Sequence, residues 1–248
     1  MASLKRSVLR VGLFALLTCA PAAGPLRGQS PATAAHELND HGTFEIYSAG
    51  KSIGTETFDI HVRNGRIEAQ GDGRLQVEQN GKTIAVQTTS NYVLDSQLNP
   101  LSYTWSQKGS QSSRLSIDFR SKPAHVRYKQ VNGQEDRKDF KLDKDVVVLD
   151  DNEIHHYELA IARYNQAKGG PQVLSGFTPQ EALPGVIILN YVGPEQTTLN
   201  GDKVTLQHFA LSAELTQINL WADDQGRLQL LSTADLQFQA MRKKDTGK

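Results

Sequence analysis

Cysteine is all but missing from these 248 residues: there is one, Cys19, inside an apolar N-terminal run. If that run is cleaved, the remaining chain has no thiol for catalysis and no disulfide, so its stability rests on a packed core. No later apolar stretch approaches the roughly twenty residues that a membrane-spanning helix needs, so no transmembrane segment is expected in the mature protein. No nucleophile elbow on a strand-to-helix turn and no glycine-rich phosphate loop are apparent; Gly71-Asp72-Gly73 reads as a β turn or bulge. An excess of basic charge is missing too. The chain has 27 bases and 27 acids, but Lys5, Arg6, Arg10 and Arg27 fall in the first 29 residues, which hold no acid; the rest keeps 23 bases against 27 acids, a net charge of −4. A mildly acidic chain lacks the field that draws phosphate backbones, which excludes nucleic acid as a partner. No cofactor is implied.

Export is written at the N-terminus. Lys5, Arg6 and Arg10 precede the apolar run Val11 to Leu17, and small residues including Ala20-Pro21-Ala22 follow. That order of basic, apolar and small regions is a secretory signal peptide, placed over residues 1–29. The expected location is the periplasm or cell envelope. Cys19 follows Leu16-Leu17-Thr18, where a lipoprotein signal places its lipidated residue, with Thr18 standing where Gly, Ala or Ser is usual; a lipid anchor there is the further expectation. Residues 30–41 form a Pro-, Ala- and Ser-containing flexible leader, 42–240 a single β-rich domain and 241–248 a polar tail.

Within 42–240 apolar residues alternate with polar ones. Phe58, Ile60 and Val62 share one face of a strand while Thr57, Asp59 and His61 share the other, and the same two-residue period returns in Leu101/Tyr103/Trp105 and Leu115/Ile117/Phe119. Asn64-Gly65, Asn80-Gly81, Asn132-Gly133 and Asn200-Gly201 separate such runs, and Asn-Gly is a strong hairpin signal because both residues tolerate positive φ. Late strands are expected at 203–214, 217–222 and 227–239. About ten meandering strands accumulate twist, so the sheet must curl or close.

One helix interrupts the strands, within Val146 to Pro171. Asp150 and Glu153 have the spacing of a capping box, and Gly169-Gly170-Pro171 ends the segment. Ile154, Tyr157, Ile161 and Tyr164 recur at intervals of three, four and three, which makes an apolar stripe. The strand that follows, Gly185 to Val192, is apolar on both alternating sets, so both of its faces are expected to be covered. The expected fold is mainly β: a large curved antiparallel sheet, half-barrel or barrel-like, with one central amphipathic helix packed on it.

The segments Gly42-Thr-Phe-Glu-Ile-Tyr47, Gly50-Lys-Ser-Ile-Gly-Thr-Glu56, Val148-Leu-Asp-Asp151 and Ile218 to Leu228 resemble a bacterial family of exported β-rich proteins known as a domain of unknown function. The resemblance covers most of 42–240. It implies an envelope protein similar in outline to the half-barrels of lipoprotein carriers, which hold acyl chains between sheet and helix. It assigns no catalytic residues.

Two sets of candidate site residues emerge. Ile154, Tyr157, Ile161 and Tyr164 on the helix stripe, with the strand aromatics Trp105 and Tyr128, could line a pocket for a lipid or other apolar molecule. On a helix running from 150, Asp151, His155 and Glu158 would project from one side, and their side chains are ligands a divalent metal accepts. The competing reading leaves the acids at the helix N-terminus and both His155 and His156 in solvent. His208 alternates with Val204, Leu206 and Ala210 and is expected to point inward. Together these features describe an exported, non-enzymatic binding or carrier protein of the bacterial envelope. The alternatives are a metal-dependent enzyme using the Asp/His/Glu face of the helix, or a structural module with a filled core whose partner is another envelope protein.

Overall fold

The Asn-Gly pairs turn the chain as their backbone freedom allows. Asn64 and Gly65 have φ of 52° and 70°, and Asn200 and Gly201 have 50° and 88°, the paired left-handed conformations that match the twist of a two-residue hairpin. In the computed structural model the described residues are 38–244 except 80, 110, 111, 131, 151, 152, 214, 215 and 236. The signal segment, Cys19, most of the leader and the last four residues lie outside them, as does Asp151.

The first eight strands are β1 (Asp40–Ser48), β2 (Lys51–Arg63), β3 (Arg66–Gln79), β4 (Lys82–Asp95), β5 (Pro100–Lys108), β6 (Ser113–Asp118), β7 (Ala124–Lys129) and β8 (Glu135–Phe140). The chain continues with β9 (Val147–Val148), α1 (His155–Ala162), β10 (Gln172–Thr178), β11 (Leu183–Leu199), β12 (Asp202–Ala213), β13 (Thr216–Ala222), β14 (Leu228–Thr233) and β15 (Phe238–Arg242). Among the described residues there are fifteen strands where about ten were expected, partly because the run 227–239 is broken by a turn into β14 and the start of β15.

All fifteen belong to one sheet, ordered β8-β7-β6-β5-β4-β3-β2-β1-β15-β14-β13-β12-β11-β10-β9. It is two meanders fused where β1 pairs antiparallel with β15; the two-residue β9 is parallel to β10. Strand structure extends two residues beyond 42–240 at each end, and those outer residues matter: Arg242 grips Asp40 with two 2.6 Å bonds, both groups being buried. Arg242 therefore belongs to the fold and not to a polar tail.

Curvature follows from the connectivity. Laid flat, fifteen strands at about 4.8 Å spacing would separate β8 from β9 by about 67 Å. Yet only residues 141–146 join them, a reach of about 25 Å at full extension. The sheet must bring its edges together. Side chains make the join: the rings of Phe140 and Phe177 lie 4.9 Å apart, and Tyr128 donates its hydroxyl to the Pro179 carbonyl at 3.0 Å. The result is a barrel closed by packing and not by a continuous backbone ladder.

The concave face holds one hydrophobic core, in which Phe44, Phe58, Tyr92, Tyr103, Leu189 and Leu211 surround α1. Phe58 and Ile60 point in while Thr57 and Asp59 point out, as the alternation requires. Three expectations are corrected. Gly71 and Gly73 lie within β3, not in a turn. Only Ile187 and Leu189 of β11 are buried; Val186 and Ile188 are 56% and 42% exposed, so that strand is covered on one face alone. His208 keeps the phase of Leu206, but that phase faces outward into a satellite cluster with Trp221 and Leu230, where the imidazole stacks on Trp221 at 4.9 Å.

Candidate functional site

Eight residues make α1, and six of them are buried: His155, His156, Glu158, Leu159, Ala160 and Ile161. A helix this short is marginal by itself in water, and no side chain of its own caps it. The sheet supplies the cap. Glu56 sits in the inward phase of β2 with Phe58 and Ile60, and its carboxylate accepts the backbone N–H of Ile154 at 2.6 Å, the N–H of His155 at 3.0 Å and a hydrogen bond from His155 Nδ1 at 2.7 Å. These satisfy donors that a helix start leaves open and place negative charge at the positive end of the dipole. The expected capping box is thus not the device used. Asp150 instead accepts the Tyr103 hydroxyl at 2.8 Å and the Gln180 N–H at 2.9 Å, tying β5 to the chain beyond β10.

Glu158, one turn along, accepts the Leu228 N–H at 2.8 Å. Burial first, then the neighbouring Asp40, push its carboxyl well above the usual carboxylate range, against the pull of Arg242. Three buried carboxyls, Glu56, Asp150 and Glu158, therefore fasten the helix segment to different parts of the sheet.

Between these tethers lies a buried polar group. Glu153, His155 and His156 are all within 1% of complete burial, and a ligand atom from each lies within 4.8 Å of those of the other two. Glu153 Oε2 accepts the Ser90 hydroxyl at 2.5 Å, while Oε1 has no partner. His155 Nδ1 is held by Glu56, while Nε2 has no partner. Both ring nitrogens of His156 lack partners, and the rings of Tyr92 and Tyr103 wall it in at 5.2 and 5.3 Å. Burial, followed by the Glu56 charge, raises the Glu153 pKa well above the usual range; the Ser90 bond and the nearby Trp105 indole oppose this, the indole lying outside full hydrogen-bond geometry. Burial, with His155 adjacent, holds His156 well below the ordinary imidazole value.

The β3 backbone passes close to this group at Gly71. A Cβ on Gly71 would lie 2.7 Å from His155 Cε1 and 2.9 Å from both Glu153 Oε2 and Ser90 Oγ. The three side chains of the cluster expose almost no surface to water.

The candidates taken from the sequence are distributed as follows. His155 is in the cluster, but Glu158 turns away to Leu228, because α1 begins at His155 and not near 150. His155 and His156, expected in solvent under the competing reading, are fully buried. Ile154, Ile161, Tyr164 and Trp105 are buried in the main core, with Tyr157 and Tyr128 partly buried at its margin. Burial helps push the Tyr128 phenol up to about 12. Since the polar residues of α1 are buried too, the helix is enclosed nearly all round and has no solvated face of the amphipathic kind expected. Sequence reasoning missed Glu56, Ser90 and Gly71. Glu56 had a legible signal, a carboxylate in phase with Phe58 and Ile60; Ser90 and Gly71 had none. Gly50-Lys51-Ser52-Ile53-Gly54 carries the Gly-x-Ser-x-Gly spacing that the sequence reading passed over, but it opens β2 without a following helix, and Ser52 bonds Glu45 in an exposed hairpin. It is not a nucleophile elbow.

Fold and site together define a class: a barrel-like antiparallel sheet plugged by one buried helix that polar side chains hold in place. No family model matches the sequence, and neither does any curated protein. The structure is similar to that of a β-barrel-like protein of the domain of unknown function DUF1849 from Brucella abortus, with TM-score 0.54 and 11% identity over 83% of this chain and 96% of that one. A DUF1089 family protein from Pseudomonas aeruginosa aligns with TM-score 0.44 and 12% identity over 85% of this chain and 94% of that one. The likeness to the Brucella protein is one of fold, a bacterial barrel-like domain, in line with the β-rich outline that the sequence resemblance implied.

Proposed function

We propose that this protein is a non-enzymatic binding module of the bacterial envelope that takes a small amphipathic guest, apolar in its body and anionic at its head. The supporting observation is a trough of about 490 Å³ at the rim of the barrel, within the size range of small-molecule sites. Leu101, Phe119, Pro123 and Leu142 give it an apolar floor, and Arg120, Lys122, Lys141 and Lys144 stand around it against two acids, Asp95 and Asp143. Asn99 in its lining follows Leu98, whose carbonyl accepts from the Arg163 side chain at the end of α1. A second concavity of about 730 Å³ mixes Ile53, Leu75 and Val86 with Arg74, Gln87 and Lys108, a less apolar lining.

A guest lying between sheet and helix would have to displace Ile154, Ile161 and Tyr164 from a packed core; the trough requires no such movement. The N-terminal basic, apolar and small regions support an envelope location. The test is titration of the purified chain with dodecyl phosphate and with dodecanol, followed by calorimetry. Saturable binding of the phosphate, weakened about tenfold, or about 1.4 kcal/mol, in a Lys141→Glu/Lys144→Glu variant and by Leu101→Asp, is the expected result. Equal binding by these variants, or none by the parent protein, would end the proposal.

A further inference from the structure

The geometry points to a buried zinc-type metal site, formed by Glu153, His155 and His156, that locks α1 into the barrel. This inference is independent of the trough and of its guest. It starts from a pattern within the cluster: the atoms bonded to the surrounding protein and the atoms left free are different atoms of the same side chains. Ser90 holds one Glu153 oxygen and Glu56 holds His155 Nδ1, which leaves Glu153 Oε1 and His155 Nε2 unpartnered, together with both nitrogens of His156.

Buried polar atoms are rarely left without partners, and each one that is calls for an explanation. Such atoms, one from each of three residues whose ligand atoms gather within 4.8 Å, have a common explanation in a cation between them, which would take one of the two His156 nitrogens. Nitrogen from two imidazoles and oxygen from one carboxylate are the donors zinc accepts. The Glu56–His155 bond is the outer-shell arrangement that fixes the tautomer of a zinc-bound histidine and aims its other nitrogen at the metal. Charge agrees. Among the described residues neither Glu56 nor Glu153 pairs with a lysine or arginine, and one divalent cation would neutralise both carboxylates. Gly71 completes the case, because a side chain there would occupy the space against His155 and Glu153.

An ion enclosed in this way enters as the protein folds. The test unfolds the full chain in guanidinium with a chelator, removes both, and refolds it with zinc, with cobalt(II) or with neither. One metal per chain by native mass spectrometry is expected, with a raised melting temperature and a cobalt spectrum of mixed imidazole-nitrogen and carboxylate-oxygen ligation. Glu153→Gln and His156→Gln should each weaken zinc binding by at least about a hundredfold, and Glu56→Gln, acting through His155, by about 10- to 100-fold. Absence of bound metal and of any thermal shift overturns the inference, as does undiminished binding by folded Glu153→Gln and His156→Gln. If those variants fail to fold, X-ray absorption on the cobalt-loaded parent decides: two imidazoles at the metal uphold the site, and none refutes it.

Discussion

Replacing Glu56 by Gln isolates the sheet's cap on the helix. The carboxylate serves three donors, two backbone N–H groups and His155 Nδ1, at 2.6 to 3.0 Å in a fully buried setting. Gln is nearly the same shape but offers one oxygen, which can accept at most two of the three; its amide group then faces the remaining donor. An unsatisfied buried donor costs about 1–3 kcal/mol, and the surviving bonds lose their charge assistance, each falling to roughly half strength. Relief of repulsion with Glu153 returns little, because Glu153 is itself pushed toward its neutral form. The net loss should be about 2–4 kcal/mol, which at an m-value near 2 kcal/mol/M lowers the urea midpoint by about 1–2 M. Trp105 in the core and Trp221 in the outer cluster report the transition from both faces of the sheet. Measured in chelator, so that no metal contributes, a midpoint within about 0.3 M of the parent's would refute the assignment of Glu56 as the helix cap.

Three further outcomes test neighbouring parts of the structure. Gly71→Ala should cost about 1–3 kcal/mol through overpacking, since its Cβ meets His155 at 2.7 Å, whereas Gly185→Ala, which meets nothing within 4 Å, should stay within about 0.5 kcal/mol in the same urea melts. Glu158 has a folded pKa above its usual 4.5, so its contribution is complete below the unfolded pKa and is lost as pH rises through the folded one. Stability curves in chelator should show the parent weakening relative to Glu158→Gln as pH rises above the ordinary carboxylate range, by at most about 1.4 kcal/mol per pH unit; a constant difference would contradict the raised carboxyl. Ile187→Ala should cost about 2–5 kcal/mol and Ile188→Lys less than about 0.5 kcal/mol, and a reversal of that order in thermal melts would mean that β11 is paired one residue out of register.

The sheet was legible because its signals are local. Alternation at Phe58 and Ile60 and the Asn-Gly turns at 64–65 and 200–201 each depend on a few adjacent residues, and the structure uses them as expected. Closure was half legible: twist demanded a curl, but the meeting of Phe140 with Phe177 depends on which strands become edges, and no local pattern carries that. The helix shows the opposite failure. Ile154, Ile161 and Tyr164 are buried, yet their spacing suggested an apolar stripe opposite a solvated polar one, whereas the polar residues lie inside as well. Periodicity reports that a face is apolar; it cannot report that a backbone N–H at the helix start has a buried carboxylate acceptor ninety-eight residues earlier, as Ile154 has in Glu56.

That partnership explains why the interior is polar at all. An eight-residue helix spans only about 12 Å, too short to find its position by ridge packing over a long surface, and an apolar plug of that size could slide or rotate within a curved sheet. Hydrogen bonds are directional. With Glu56 at one end of the helix, Glu158 at the next turn and Asp150 holding the approach strand, depth and rotation are both specified. The cost is desolvation of charged groups, which seldom adds net stability but can select one arrangement among many. Glu153 Oε1 and both nitrogens of His156 carry that cost without a protein partner to offset it, which is where the inferred metal would act. The trough at the rim, lined by Leu101, Phe119 and Leu142 together with Lys141 and Lys144, lies apart from these tethers.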